Sequence, residues 1–325
     1  MASKVARLRN FLRSDASAFL IAPASCVAVL IEAYTRTEIS DADGPQQCQH
    51  PAIIGCITSE HVQRLERRGF VVLEGSEAVI GGRTLESARA EVATYSSQGR
   101  FSSSQNGSDV RKDSVCWLRE TDGTPAAADA EDRQLKPLGS AMIHCAQMLR
   151  GVAFALELKG YQSSHDHRVP KQLQLGWYPG DWESGYMRHS DCCLKSISEL
   201  GMLDWLRKRD YRERVLTAIL HLNDPSWRPA SNLGSTSDAG LTHGRGDGGE
   251  LRCYHAVDSQ TQVQQEGIRE AAQESYTDVV PRGGTLIIFD SRRIEHQVLP
   301  GGMDRFALTC WINGKMNINS VGIRD

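Results

Sequence analysis

His189 and Asp191 sit at the end of a segment, Met187 to Asp191, that reads as a short strand. Side chains at i and i+2 of a strand project to one face, so the imidazole of His189 and the carboxylate of Asp191 converge. An HxD pair alone is a weak signal, because a hydrogen-bonded surface pair is spelled the same way. His296 adds weight: it follows the apolar strand candidate Thr285–Phe289, and Arg305 heads the next alternating segment soon after. Two imidazoles and one carboxylate are the ligand set of a facial-triad Fe(II) site, which leaves three coordination positions open. An arginine on a neighbouring strand could hold the distal carboxylate of a chelating co-substrate through a bidentate pair. Alternation places Arg305, Ala307, Thr309 and Trp311 on one face of that strand, and Phe306, Leu308, Cys310 and Ile312 on the other. The hydroxyl of Thr309 therefore shares the face of Arg305.

These residues need a scaffold of short strands, and the second half of the chain offers one. After Pro170 the apolar period changes from helical to alternating. Strands are predicted at Gln172–Tyr178, Met187–Asp191, Val215–Leu222, Glu250–Tyr254, Thr285–Phe289 and Arg305–Ile312. Before Pro170 the reading is Glu60–Arg68 helix, Gly69–Leu73 strand, Thr84–Ser96 helix with Thr84 as its cap, a loop over 99–113, a Val115–Leu118 strand, a loop over 121–134, and one amphipathic helix over 138–158. A helical layer followed by many short strands predicts an α+β protein with a jelly-roll core and helices packed on one side. Two insertions, 194–214 and 228–249, lengthen the strand region.

The chain has 325 residues, 40% hydrophobic and 24% charged, with 29 Gly and 11 Pro, the profile of an ordinary globular protein with ample material for a core. A formal net charge of −3 offers no basic field, so neither nucleic acid nor an anionic membrane surface is the expected partner. Nine cysteines, an odd number without a CxxC pair, suggest neither a disulfide framework nor a thiolate zinc site and fit a reducing compartment. Residues 1–59 read as an extension and linker, with a polar 39–52 stretch before the main domain. Within it, 1–31 has early basic residues and then an uncharged run that contains Pro23, too short for a spanning helix. It could be a packed helix, a transit peptide or a secretory segment. His165 and His167 read as a solvated loop pair, and 314–325 as a short tail.

Several segments together resemble the prolyl 4-hydroxylases of the Fe(II)- and 2-oxoglutarate-dependent oxygenases, and among them the hypoxia-inducible-factor type. They are WYPGDWESGYMRHSD (177–191), LTAILHLND (216–224), GGELRCY (248–254) and GGTLIIFDSRRIEHQVLPGGMDRFALTCWI (283–312), with weaker likeness upstream in RRGFVVLEG (67–75) and DVRKDSVCWL (109–118). The resemblance covers roughly residues 60–313 and implies a double-stranded β-helix with a helical packing layer. It implies that His189, Asp191 and His296 bind Fe(II), and that Arg305 holds the distal carboxylate of 2-oxoglutarate with Thr309 beside it. Tyr178 would line the co-substrate pocket, Trp311 would lie near the metal, and Arg111 and Asp113 would support a mobile loop that covers the substrate. Where hypoxia-type members carry a tyrosine this chain has His221, which shares a strand face with Thr217 and Ile219 and could still donate to the co-substrate carboxylate. The implied activity is C4 hydroxylation of a prolyl residue in a protein or peptide, using O2, decarboxylating 2-oxoglutarate to succinate, with ascorbate as reductant and a place in oxygen sensing. No stable membrane insertion is implied, and the location would be cytoplasmic or nuclear, or an organelle if 1–31 is an address. The insertions and His221 leave open a free amino acid or other small molecule as substrate, and a non-catalytic binding module is the remaining alternative.

Overall fold

The computed structural model describes residues 49–103, 111–119, 139–162, 167–170, 172–195, 197–201, 208–230, 246–255 and 275–314. The amino-terminal segment, most of the linker, His165, the centres of the loops and insertions, and the carboxy-terminal tail lie outside them. The chain divides into two units. One is Met1–Gly44 with Lys195–Arg209, whose described part is a short helix, Ile197–Leu200, and its flanks. The other, Pro45–Leu194 with Asp210–Asp325, carries all that follows.

Helix α1 (Pro51–Cys56) begins with proline, whose missing N–H is tolerated in a first turn. Its Ile53 and the following Ile57 are fully buried, so the packed body begins before residue 60. Helix α2 (Ser59–Arg68) starts at a capping box. The Thr58 hydroxyl accepts from the His61 N–H, and the His61 ring accepts from the Thr58 N–H. It ends at Gly69, whose φ of 81° is left-handed and whose N–H donates to the Leu65 carbonyl. That reversal feeds β1 (Phe70–Leu73) directly into a sheet. Helix α3 (Gly82–Ser97) buries Leu85, Ala88, Val92 and Tyr95 on one stripe. Thr84 is not its cap: the extended residue before the helix is Gly81, and Thr84 lies inside the first turn.

The single helix expected over 138–158 is two, α4 (Ser140–Arg150) and α5 (Val152–Leu158), parted at Gly151. Glycine is the poorest helix former after proline, so the break falls there. The start of α4 has no cap of its own. Glu91 of α3 supplies it, its carboxylate accepting from the N–H groups of Ala141 and Met142.

The strands β2 (Ser102–Ser103), β3 (Ser114–Arg119), β4 (His167–Arg168), β5 (Gln172–Tyr178), β6 (Tyr186–Ser190), β7 (Arg214–His221), β8 (Leu251–Tyr254), β9 (Tyr276–Val279), β10 (Leu286–Asp290), β11 (Glu295–Val298) and β12 (Arg305–Gly314) form two antiparallel sheets. The larger runs β1-β10-β7-β12-β5-β3-β2, with β4 also on β12; the smaller runs β6-β11-β8-β9. Helices α1 to α5 cover one face of the larger sheet, where Leu216, Ala218 and Leu220 of β7, Leu286 and Ile288 of β10, and Leu308, Cys310 and Ile312 of β12 join the helical core. The opposite face, with Tyr178, Ile219, Ile287, Phe289 and Ala307, meets Leu251, Cys253, Val279 and Val298 of the smaller sheet. The structure is therefore a double-stranded β-helix with its helices on one side, and every functional candidate on β7 and β12 faces the lumen between the sheets. Among the described residues no helix is long and apolar enough to cross a membrane.

Strands β2, β4, β9 and β11 were not expected. The correction at β4 matters most: His167 is buried, pairs across from Gly314, and its Nδ1 lies 2.5 Å from Glu157. It is a packed hydrogen-bond partner of Glu157 rather than a solvated loop residue. In the loop between β5 and β6, Trp182 has a positive φ of 59°. Its N–H donates to the Gly301 carbonyl, and its ring lies so close to Gly302 that an added Cβ there would meet the indole Nε1 at 2.5 Å. Gly302, together with Gly248, whose added Cβ would meet the ring at 2.9 Å, is thus a seat for this indole.

Candidate metal centre

β6 and β11 are neighbours in the smaller sheet, and His189 and His296 stand directly opposite one another in their register. Asp191 follows β6 immediately, and the three side chains meet although His296 is far away in sequence. Their donor atoms all lie within 4.8 Å of one another. His189 Nε2 is 3.7 Å from Asp191 Oδ1, and His296 Nε2 is 3.8 Å from Asp191 Oδ2.

The surroundings fix the form of each donor. His189 Nδ1 lies 2.8 Å from the Met187 carbonyl, which only accepts, so Nδ1 carries a proton and Nε2 is the nitrogen turned toward Asp191 and left to ligate a metal. Tyr186 stacks on the same ring at 3.6 Å. Phe289 lies 4.7 Å from the His296 ring. Burial pushes His296 down to about 4, against the pull of Asp191, so the ring is neutral at neutral pH. Burial favours a protonated Asp191, but the neighbouring His296, His189 and Arg214 outweigh it and hold the carboxyl far below the usual range. Asp191 Oδ2 also accepts from the Thr217 hydroxyl at 2.7 Å, and Thr217 Oγ1 is 2.8 Å from Ser291 Oγ. Two imidazoles and one ionised, oriented carboxylate suit a divalent metal held from one side.

Across the lumen, Arg305 opens β12 opposite Tyr178 of β5. It is 2% exposed, its Nε has no hydrogen-bond partner, and no carboxylate of the described residues pairs with it. Burial lowers its pKa, with Tyr178, Asp113 and Glu250 opposing. The Tyr178 ring centroid is 5.0 Å from the guanidinium carbon. A buried cation without an anion is costly, and an anionic ligand would relieve it. His221 stands opposite Ala307 of β12 in register, fully buried, with both ring nitrogens unpartnered. Burial first and Arg305 second keep it neutral.

Thr309 lies between Gln174 and Ile219, its partners on either side in the sheet. Trp311 is opposite Thr217 and half-buried, with the Arg214 guanidinium 4.0 Å above its ring. Arg111 and Asp113 flank the described end of the loop expected to cover a substrate, whose residues 104–110 lie outside the description. Arg111 donates to both carboxylate oxygens of Asp113, at 2.5 and 2.7 Å, and to Gln174 Oε1 at 2.9 Å. Its guanidinium sits 4.9 Å from the Tyr186 ring, the ring that stacks on His189. The side chain of Asp113 is wholly buried, so Asp113→Ala would strand Arg111. We expect it to destabilise the protein by about 3–5 kcal/mol in equilibrium denaturation. A loss under about 1 kcal/mol would show that solvent satisfies Arg111 instead.

The sequence did not reveal Thr217, Ser291, Arg214, Gln174 or Tyr186 as supports of the site. Thr217 could be seen on the face of His221, but its partner, Asp191, comes from the other sheet.

Residues 173–313 match the family model of the 2OG-Fe(II) oxygenase superfamily. This segment is similar to 2OG-Fe(II) oxygenase domains. It contains the whole triad and Arg305, so the oxygenase match and the chemistry of the donor set agree. Fe(II) and 2-oxoglutarate are the metal and co-substrate of this superfamily. Comparison with curated proteins finds no match. Among solved structures the chain is similar in fold to a prolyl 4-hydroxylase of Pseudomonas putida, at 20% identity and a TM-score of 0.50, over 80% of this chain and 100% of that one. It is also similar to a Trichoplax adhaerens prolyl hydroxylase in complex with a hypoxia-inducible-factor peptide fragment, at 17% identity and a TM-score of 0.52, over 84% of this chain and 95% of that one. A Phytophthora capsici prolyl 4-hydroxylase gives 16% and 0.50, over 84% and 68%.

Proposed function

We propose that the chain is a prolyl 4-hydroxylase acting on a protein or peptide, with His189, Asp191 and His296 as the Fe(II) ligands. Arg305 holds the distal carboxylate of 2-oxoglutarate, with Tyr178, Thr309 and His221 lining the pocket around it and Trp311 toward the metal side. The observation that carries the co-substrate assignment is the buried guanidinium of Arg305, turned into the same lumen as the triad and without an anionic partner among the described residues. The prolyl part rests on the segments that resemble prolyl 4-hydroxylases and on the likeness in fold to three of them.

Bound Fe(II) would supply the redox chemistry that couples decarboxylation of 2-oxoglutarate to oxygenation of the substrate. The chain's own residues do the positioning. The Met187 carbonyl holds His189 in the tautomer that presents Nε2. Thr217 and Ser291 hold the Asp191 carboxylate in its plane. Arg305 orients a dicarboxylate in the lumen, and Ile219, Phe289 and Val298 exclude water around it. Arg111 and Asp113 brace β3 against Tyr186 at the base of the loop that would close over a peptide. Nine cysteines without a disulfide framework point the substrate search to a cytoplasmic or nuclear protein, and hypoxia-type oxygen sensing is the role to test there.

The test supplies the purified chain with Fe(II), 2-oxoglutarate, ascorbate and proline-containing peptide pools in air. Expected are succinate formation stimulated by peptide and a gain of one oxygen on a prolyl residue by mass spectrometry. Turnover stimulated by free amino acids and not by any peptide would overturn the protein-substrate assignment.

A further inference from the structure

We propose that Thr285 is a specificity-determining residue for the dicarboxylate co-substrate, forming with His221 and Arg305 a polar lumen floor that receives the carboxylate remote from the metal. The proposal rests on the Fe(II) and 2-oxoglutarate reading of the site and deepens it. Thr285 lies one residue before β10. Ile287 and Phe289 of that strand face the lumen, while Leu286 and Ile288 join the helical core, so alternation turns Thr285 to the lumen. The ladder to β7 continues through it: the His221 N–H donates to the Thr285 carbonyl at 2.9 Å, and the Gly284 N–H donates to the His221 carbonyl at 2.9 Å. Thr285 is 1% exposed, and its hydroxyl has no partner.

The lead-in to β10 and the adjacent strands β7 and β12 thus each bring to one face a buried polar group without a hydrogen-bond partner among the described residues. Those groups are the Thr285 hydroxyl, both ring nitrogens of His221, and Arg305 Nε. Each such group calls for an explanation, and several grouped on one wall of a lumen that also holds the triad point to a ligand. The ligand must be an anion, because the guanidinium carries charge. It must also accept several hydrogen bonds at once, because a guanidinium, a hydroxyl and a neutral imidazole can each donate one. A carboxylate, with two oxygens and no hydrogen to donate, meets both demands. Arg305 supplies the attraction and Thr285 and His221 the discrimination. A 2-oxo acid without the remote carboxylate would leave all three unpaired.

The test is calorimetric titration of the full chain, loaded with Mn(II) in place of Fe(II) and without turnover, with 2-oxoglutarate and with pyruvate. For Thr285→Val the Kd for 2-oxoglutarate is expected to rise about tenfold, the loss of one hydrogen bond to a charged group. Thr285→Ser should bind like the wild type, and His221→Phe should weaken binding like Thr285→Val. Pyruvate should bind all four proteins alike. The melting temperature of Thr285→Val should be no lower than that of the wild type, because an unpartnered hydroxyl is replaced by a methyl group. Unchanged 2-oxoglutarate affinity in Thr285→Val overturns the proposal, as does an equal loss for pyruvate or a lowered melting temperature with affinity intact. A wild type that binds neither acid sinks the co-substrate reading itself, and the floor falls with it.

Discussion

Asp191→Ala is expected to lower 2-oxoglutarate turnover by more than about a hundredfold, the upper range seen when residues that merely support metal ligands are removed. Asp191 is the anion of the cluster, 3.7 Å from one imidazole and 3.8 Å from the other. Without it two imidazole rings remain, a set with far less hold on a divalent cation. The loss should appear first in metal affinity, measured by titrating Mn(II) into the apoprotein, and then in succinate formation. A structural role predicts a different pattern. Thr217 loses one acceptor but keeps Ser291 within 2.8 Å, so the fold around the site has a remaining link. The expected result is therefore a folded protein with poor metal affinity. Metal affinity and turnover within threefold of the wild type would mean that the triad is not the metal site.

Arg305→Met should raise the KM for 2-oxoglutarate by about a hundredfold or more, since a bidentate pair contributes two charge-assisted hydrogen bonds at roughly 1.5–3 kcal/mol each. The variant carries a second, opposite expectation. Arg305 is 2% exposed with no carboxylate partner among the described residues, and an uncompensated buried cation opposes folding. Methionine fills much of the same volume without the charge, so the melting temperature should hold or rise while co-substrate binding collapses. An arginine kept for packing or for an internal ion pair would do the reverse, losing stability when removed. A clear fall in melting temperature with KM unchanged would remove Arg305 from the co-substrate site.

The fold was legible where its signal is local. Alternation over Arg305–Ile312 placed Arg305, Ala307 and Thr309 on one face, and the structure puts Ala307 in the lumen and Leu308, Cys310 and Ile312 in the helical core. The helix over 138–158 was seen as a period but not as two pieces, because a period does not record how a glycine is used. The short strands β2, β4, β9 and β11 went unseen because two to four residues carry too little alternation to rise above chance. His167 was misplaced for the same reason: its burial depends on Gly314 and Glu157, which no local window includes.

The sequence by itself determined the chemistry available: two histidines, an aspartate and an arginine in segments whose alternation and spelling match one family of oxygenases. Only the tertiary structure decided that His189 and His296 face each other across β6 and β11, that Thr217 steadies Asp191, and that Thr285, His221 and Arg305 stand unpaired on three neighbouring strands. The division has a physical cause. Which face a strand residue occupies follows from its own backbone, whereas what it meets there depends on register and on the stacking of one sheet over another, both set by residues far along the chain.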